Sequence, residues 1–389
     1  MGLEFEDQPS IPDETYYYEP PPDNSPLLVK MRRYGQSPWL DHLRRDLFTS
    51  GTLEERLEMG IGGVLTGPDS MFNCIVRSPL YDEEIMSLAE QGATEQQIYE
   101  TIQLYDAQRA ADLLTQLYET SWQDDGYVSV QIHPSICDDA QTILAEARRL
   151  STLIGRPNVM IAIPVTDAGV AAATALIADG VPVQLSMNFS RRDYARSWNA
   201  HLTALKQRVQ QGLPLAKCVS VASILVNRIE LGAYAVTPEH RRDFFFGRSG
   251  LAVPRTLYRD FLINTSAAEF CALRGAGART QRLMFAATGT TDPGLQPCHY
   301  MDNLIAPYSI QAFDEIGLAT YLEGGHANRM IAGFPGPDRR CYRRLREVGV
   351  ELEDLDQSLR NQELRNQEHR IRVTLEAINR IMQGHADEV

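Results

Sequence analysis

The sequence predicts an α/β fold, a (β/α)8 barrel with an N-terminal extension and C-terminal helices. Two observations carry that prediction. Eight short apolar segments recur along the chain, and amphipathic helical stretches separate most of them, which implies a parallel sheet under helical cover. The chain has 389 residues, enough for eight such units in one body. Two of the strands also carry polar side chains on the face that would point at a barrel axis.

The predicted strands are 38–43, 62–68, 127–134, 158–166, 181–189, 217–225 and 282–288, with a weaker eighth at 308–313. Each is a short run of apolar or alternating residues bounded by Gly, Pro or polar residues. The helical stretches between them are 82–121, 138–154, 167–179, 191–211 and 256–274. In PNVMIAIPVTDAG the strand ends at Val165-Thr166-Asp167, and Asp167 is expected to cap the next helix. Residues 1–35 read as an acidic tail rich in Pro and Tyr, without helical or strand period. Residues 36–350 form the barrel. Residues 351–389 form a helical segment expected to dock through Leu364, Ile371, Leu375, Ile378 and Ile381.

Alternation assigns the two faces of a strand. In 127–134, Val128, Val130 and Ile132 face the helices, so Ser129, Gln131 and His133 face inward. In 181–189, Val183, Leu185, Met187 and Phe189 face the helices, leaving Gln184, Ser186 and Asn188 inward. Branched apolar residues usually fill a barrel interior, so this polar set predicts a hydrated or ligand-filled upper barrel. The middle of the fourth strand is a methyl group, Ala162.

A net charge of −14 disfavours nucleic acid or an anionic membrane as partner. No apolar run approaches the ~20 residues of a membrane span, and the acidic N-terminus lacks a signal-peptide pattern, so a cytoplasmic location is expected. The six cysteines are scattered with no C-x-x-C pair and read as buried thiols. No zinc motif, nucleotide loop or nucleophile elbow appears, so neither a metal nor an organic cofactor is expected. Of 37 basic residues only Lys30, Lys206 and Lys217 are lysines, which confines amine chemistry to three positions.

The segments SPWLDHLRRDLFTSG, GGVLTGPDSMF, DGYVSVQIHP, RPNVMIAIPVTDAG, VPVQLSMNFS, SVASILVNRIE and RLMFAATGTTDP resemble, in order and spacing, the strands of the longer bacterial branch of the transaldolase family. The resemblance implies a transaldolase-type barrel and no cofactor. It also implies a lysine in an IKIP segment that forms a Schiff base with a ketose phosphate and moves a dihydroxyacetone unit to an aldose phosphate. Here that position is Ala162. The family's third-strand glutamate is Gln131, and the asparagine of its TSNP segment falls at Pro68. Its fifth-strand asparagine and threonine are Gln184 and Ser186. The first-strand aspartate is kept as Asp41. At the phosphate end Ser223 and Arg228 are kept, while a serine and a lysine become Ala287 and Thr291. The replacements fall at inward positions while strand and turn patterns remain, as in a rebuilt pocket.

The expected site therefore has Asp41, His133 and Asp69 as candidate proton-transfer groups. Gln131, Gln184, Ser186, Asn188, Ser223 and Arg228 would bind a small, anionic or sugar-like substrate. The expected function is Schiff-base-independent chemistry (cyclisation, isomerisation, elimination or aldol-type) on a specialised biosynthetic intermediate. Two alternatives stand beside it. One is a non-catalytic homologue that acts as a ligand-binding subunit, in a homo-oligomer or with a pathway partner. The other is residual transaldolase activity in carbohydrate metabolism.

Overall fold

The computed structural model describes residues 25–290, 294–327, 331 and 335–384. Residues 1–24 of the expected tail, and Thr291, lie outside the described residues. Eight parallel strands close in sequence order: β1 (Gln36–Leu40), β2 (Gly63–Thr66), β3 (Tyr127–Gln131), β4 (Val159–Pro164), β5 (Val183–Ser186), β6 (Ser220–Leu225), β7 (Arg282–Ala286) and β8 (Ser309–Phe313). β1 pairs with both β2 and β8, so the sheet has no edge. All eight expected strands are present. Each is shorter than its apolar run because the run continues into the loop at one or both ends.

Within the stretch assigned to the tail, Leu27–Arg33 is a helix that buries Leu28 and Met31 in the main core. The expected helix 82–121 is two helices, Asp82–Glu90 and Glu95–Thr120. Gly92 takes a left-handed φ of 84° between them. Thr94 and Gln97 then form a reciprocal capping box that starts the second helix. After β4 the cap is Thr166, whose hydroxyl accepts from the Gly169 amide at 2.9 Å. Asp167, expected to cap, is the first helical residue instead; its exposed carboxylate pairs with Arg196 at 2.5 Å. Gly169 is required there, since a Cβ would lie 2.0 Å from the Pro164 carbonyl.

The lower barrel is filled by Trp39, Met160, Val221, Met284 and Ile310, an apolar plug. Above it the interior turns polar. Ser129 donates to Gln184 Oε1 at 2.6 Å, and Gln184 Nε2 donates to Ser223 Oγ at 3.0 Å. Register places Gln131, Ala162 and Gln184 side by side on β3, β4 and β5.

The C-terminal helix, Asp356–Met382, lies across this polar end. Its second half buries Ile378 and Ile381 with Met71, Ile75, Ile98 and Ile102 in a separate apolar cluster. Five of the six cysteines are buried, Cys271 is half-buried, and all six are free thiols.

Candidate active site at the barrel mouth

Side chains at the C-terminal ends of the strands, together with Glu363 and Gln367 of the C-terminal helix, line a cavity of about 90 Å³. Asp41, Gln131, Ala162, Ser186, Met187 and Glu363 are among its walls. This is the end of a (β/α)8 barrel where loops and strand tips place reactive groups.

Asp41 follows β1, its backbone amide bonded to the Phe313 carbonyl at 2.6 Å. No described residue donates a hydrogen bond to its carboxylate. Burial, with lesser contributions from the nearby Asp314 and Glu363 carboxylates, pushes its pKa up to about 6. An acid of that strength exchanges protons readily near neutral pH. Ser186 presents a buried hydroxyl oxygen with no hydrogen-bond partner among the described residues. Buried polar atoms are ordinarily paired, so this one is available to a ligand. Gln184 and Ser223 form the floor through the chain described above. Ala162 leaves a methyl group between Gln131 and Gln184.

Three expected site residues, Asn188, His133 and Arg228, do not line this cavity, and Arg228 is held by Glu363 behind it. Met187 has φ of 64°, an unusual left-handed conformation that breaks the strand alternation after Ser186. Met187 therefore lines the cavity. Asn188 turns away from it, donating to the Leu185 and Ser223 carbonyls at 2.8 and 3.1 Å and accepting from Ser197 at 2.6 Å. It locks the loop after β5 to the following helix.

His133 is exposed, because β3 ends at Gln131 and the chain bends into a short helical turn that His133 caps. Its Nδ1 accepts from the Ser135 amide at 3.2 Å. Burial of part of the ring lowers its pKa. It lines a separate chamber of about 280 Å³ that shares only Pro68 and Gln131 with the mouth. His133→Ala is expected to change turnover less than about twofold and stability by less than about 0.5 kcal/mol, read by steady-state rates and thermal unfolding. Asp69 is on the rim, in the first turn of the helix Pro68–Val76, and is paired with Arg370 of the C-terminal helix.

The C-terminal helix adds functional candidates that strand reasoning missed. Glu363 is buried and accepts from Arg228 Nε at 2.9 Å. Gln367 accepts from Gln131 Nε2. Arg360, Glu363, Gln367 and Arg370 recur every three or four residues, which puts them on one face of the helix. That polar stripe is visible in the sequence beside the apolar one expected to dock.

The three lysines are remote from the cavity. Lys217 precedes β6, at the opposite end of the barrel. Lys206 is on the helix Arg191–Gln210 and pairs with Glu269 at 2.6 Å. Lys30 is in the helix Leu27–Arg33 before β1.

Residues 38–377 match the family model described as transaldolase/fructose-6-phosphate aldolase. A transaldolase of Neisseria gonorrhoeae is 30% identical over 329 residues, covering 85% of this chain and 93% of that protein. A transaldolase 2 of a Nostoc species is 32% identical over 335 residues, covering 80% and 88%. A transaldolase 2 of Streptomyces avermitilis is 32% identical over 340 residues, covering 85% and 91%.

Proposed function

This chain belongs to the transaldolase/fructose-6-phosphate aldolase family, and from that premise we propose that it acts on a small sugar-like compound by proton transfer at the barrel mouth, without an imine. The observation that carries this reading is Ala162. An imine needs a primary amine facing the bound carbonyl, and the fourth strand offers a methyl group there. The three lysines belong to outer helices and to the opposite end of the barrel. Arginine, the remaining basic residue, stays protonated and does not serve as the nucleophile.

What remains in the cavity suits acid–base work. Asp41 takes a proton from a carbon beside a carbonyl or from a hydroxyl, and returns it at a neighbouring atom. The unpartnered Ser186 hydroxyl donates to the substrate oxygen on which charge develops. Gln131 and Gln184 hold hydroxyl groups through amide hydrogen bonds. Cyclisation, isomerisation, elimination and aldol-type reactions all use these elements.

A second reading is ordinary transaldolase activity, favoured by relatives that carry that name at 30–32% identity. Borohydride reduction in the presence of fructose 6-phosphate separates the two. Reduction converts an enzyme-bound imine into a stable secondary amine, detectable as a mass gain on a peptide. No adduct is expected on Lys30, Lys206 or Lys217. An adduct on any of them would establish the transaldolase reading and remove the proposed one.

A further inference from the structure

We infer that Glu363 is a specificity-determining residue that makes the barrel mouth select uncharged polyhydroxylated compounds over their phosphate esters. The inference rests on the proposed function in one respect, that the mouth is where substrate binds.

Two observations support it. The first is charge. Asp41, Asp69 and Glu363 line the cavity, and among the described residues no arginine or lysine does. The second is that each arginine at the mouth already faces a carboxylate. Arg228 pairs with Glu363, Arg360 with Asp193, and Arg370 with Asp69. The Glu363 carboxylate is only 5% exposed, so it is an internal anion held where a ligand's anionic group would meet Arg228. A phosphate arriving there has to displace a carboxylate that is tethered to the chain, a competition the tethered group wins through its high effective concentration.

Beside the Asp41 carboxylate, the cavity offers hydroxyl and amide groups, suited to a polyol. Ser186 is unpartnered and Gln131 is bonded only to Gln367 in a neutral pair. Glu363 thus does two things. It pairs with the Arg228 guanidinium, and its own carboxylate repels a second anion.

The test is direct binding to the full chain by titration calorimetry, with inorganic phosphate as the probe. The wild-type protein is expected to show no binding tighter than about 10 mM. Glu363→Gln is expected to bind phosphate at least about tenfold tighter than wild type. That gain should disappear in the double variant Glu363→Gln/Arg228→Gln, which places the anion on the released guanidinium. Absence of a gain in Glu363→Gln overturns the inference, and so does wild-type binding as tight as the variant's. If Glu363→Gln does not fold, the wild-type chain decides alone. Binding of fructose 6-phosphate tenfold tighter than fructose, lost in Arg228→Gln, overturns the inference; the reverse order, or no phosphate-ester binding, supports it. None of these measurements reads turnover or covalent trapping, so their outcome is separable from that of the proposed reaction.

Discussion

Asp41→Asn lowers turnover by at least about 100-fold and, above pH 7, makes the protein more stable. Both effects come from one property of the site. The carboxyl has a folded-state pKa of about 6 against an ordinary value of 3.8, mainly because burial disfavours its ionised form. A raised carboxyl pKa means the native state holds the proton more tightly than the unfolded chain. Stability contributed by the protonated group is then fully present below about pH 4 and is lost as pH rises through about 6. The gap between those two values corresponds to about 3 kcal/mol at most, and contact with the cavity reduces this to about 1–3 kcal/mol. Asparagine keeps the shape, carries no charge and removes that cost. The difference in melting temperature between variant and wild type should be largest at pH 8 and close to zero near pH 4. Turnover falls because asparagine neither accepts nor returns a proton, and general acid–base groups contribute about 10²- to 10⁴-fold. Equal unfolding curves at pH 8 would show that Asp41 is an ordinary carboxylate, and unchanged turnover would remove it from the chemistry.

The barrel was legible because its strands satisfy a period-two rule that depends only on local side chains. Gln131, Gln184 and Ser186, which alternation alone puts on the inner face, line the cavity. The rule failed where the backbone leaves extended geometry. At Met187 a left-handed residue adds a half-turn, so Asn188 leaves the site and Met187 enters it. No feature of SMNFS announces that φ, because methionine has no intrinsic preference for it. His133 was misplaced for a related reason, since β3 ends two residues earlier than its alternation. The lid over the mouth was hardest to foresee. The apolar positions of residues 356–382 announced docking, but which body surface receives a helix is a long-range property. The signal that was present was the polar stripe Arg360, Glu363, Gln367, whose members are all buried. Charged residues rarely become buried unless paired, so a buried stripe of this kind marks a helix that lies over a polar surface.

Arg360→Ala should be the most damaging single change in that lid. Asp193 is buried almost completely, with its side chain 1% exposed, and Arg360 is its bonded cation. Asp193 also accepts from the Phe189 amide at 3.1 Å, which fixes the loop after β5. Removing the arginine leaves a buried carboxylate whose remaining cation, Arg196, stands 3.8 Å away. Breaking a buried pair in this way costs about 3–5 kcal/mol, and the residual Arg196 contact puts the expectation at the lower end. The pH dependence identifies the cause. Burial already raises the Asp193 pKa and Arg360 opposes that rise, so the variant's carboxyl titrates higher still. The variant escapes part of its loss by binding a proton, and the deficit should therefore shrink as pH falls from 8 towards 5. Adding Asp193→Asn to Arg360→Ala should recover at least half of the lost stability, because no unpaired charge is then buried. A deficit that is constant with pH, and not relieved by Asp193→Asn, would mean that Arg360 acts through packing of its stem and not through charge. Glu363 is one helical turn further along the same face. Loosening Arg360 should accordingly weaken the Glu363–Arg228 pair too, and phosphate binding by Arg360→Ala should move in the direction expected of Glu363→Gln, by a smaller factor.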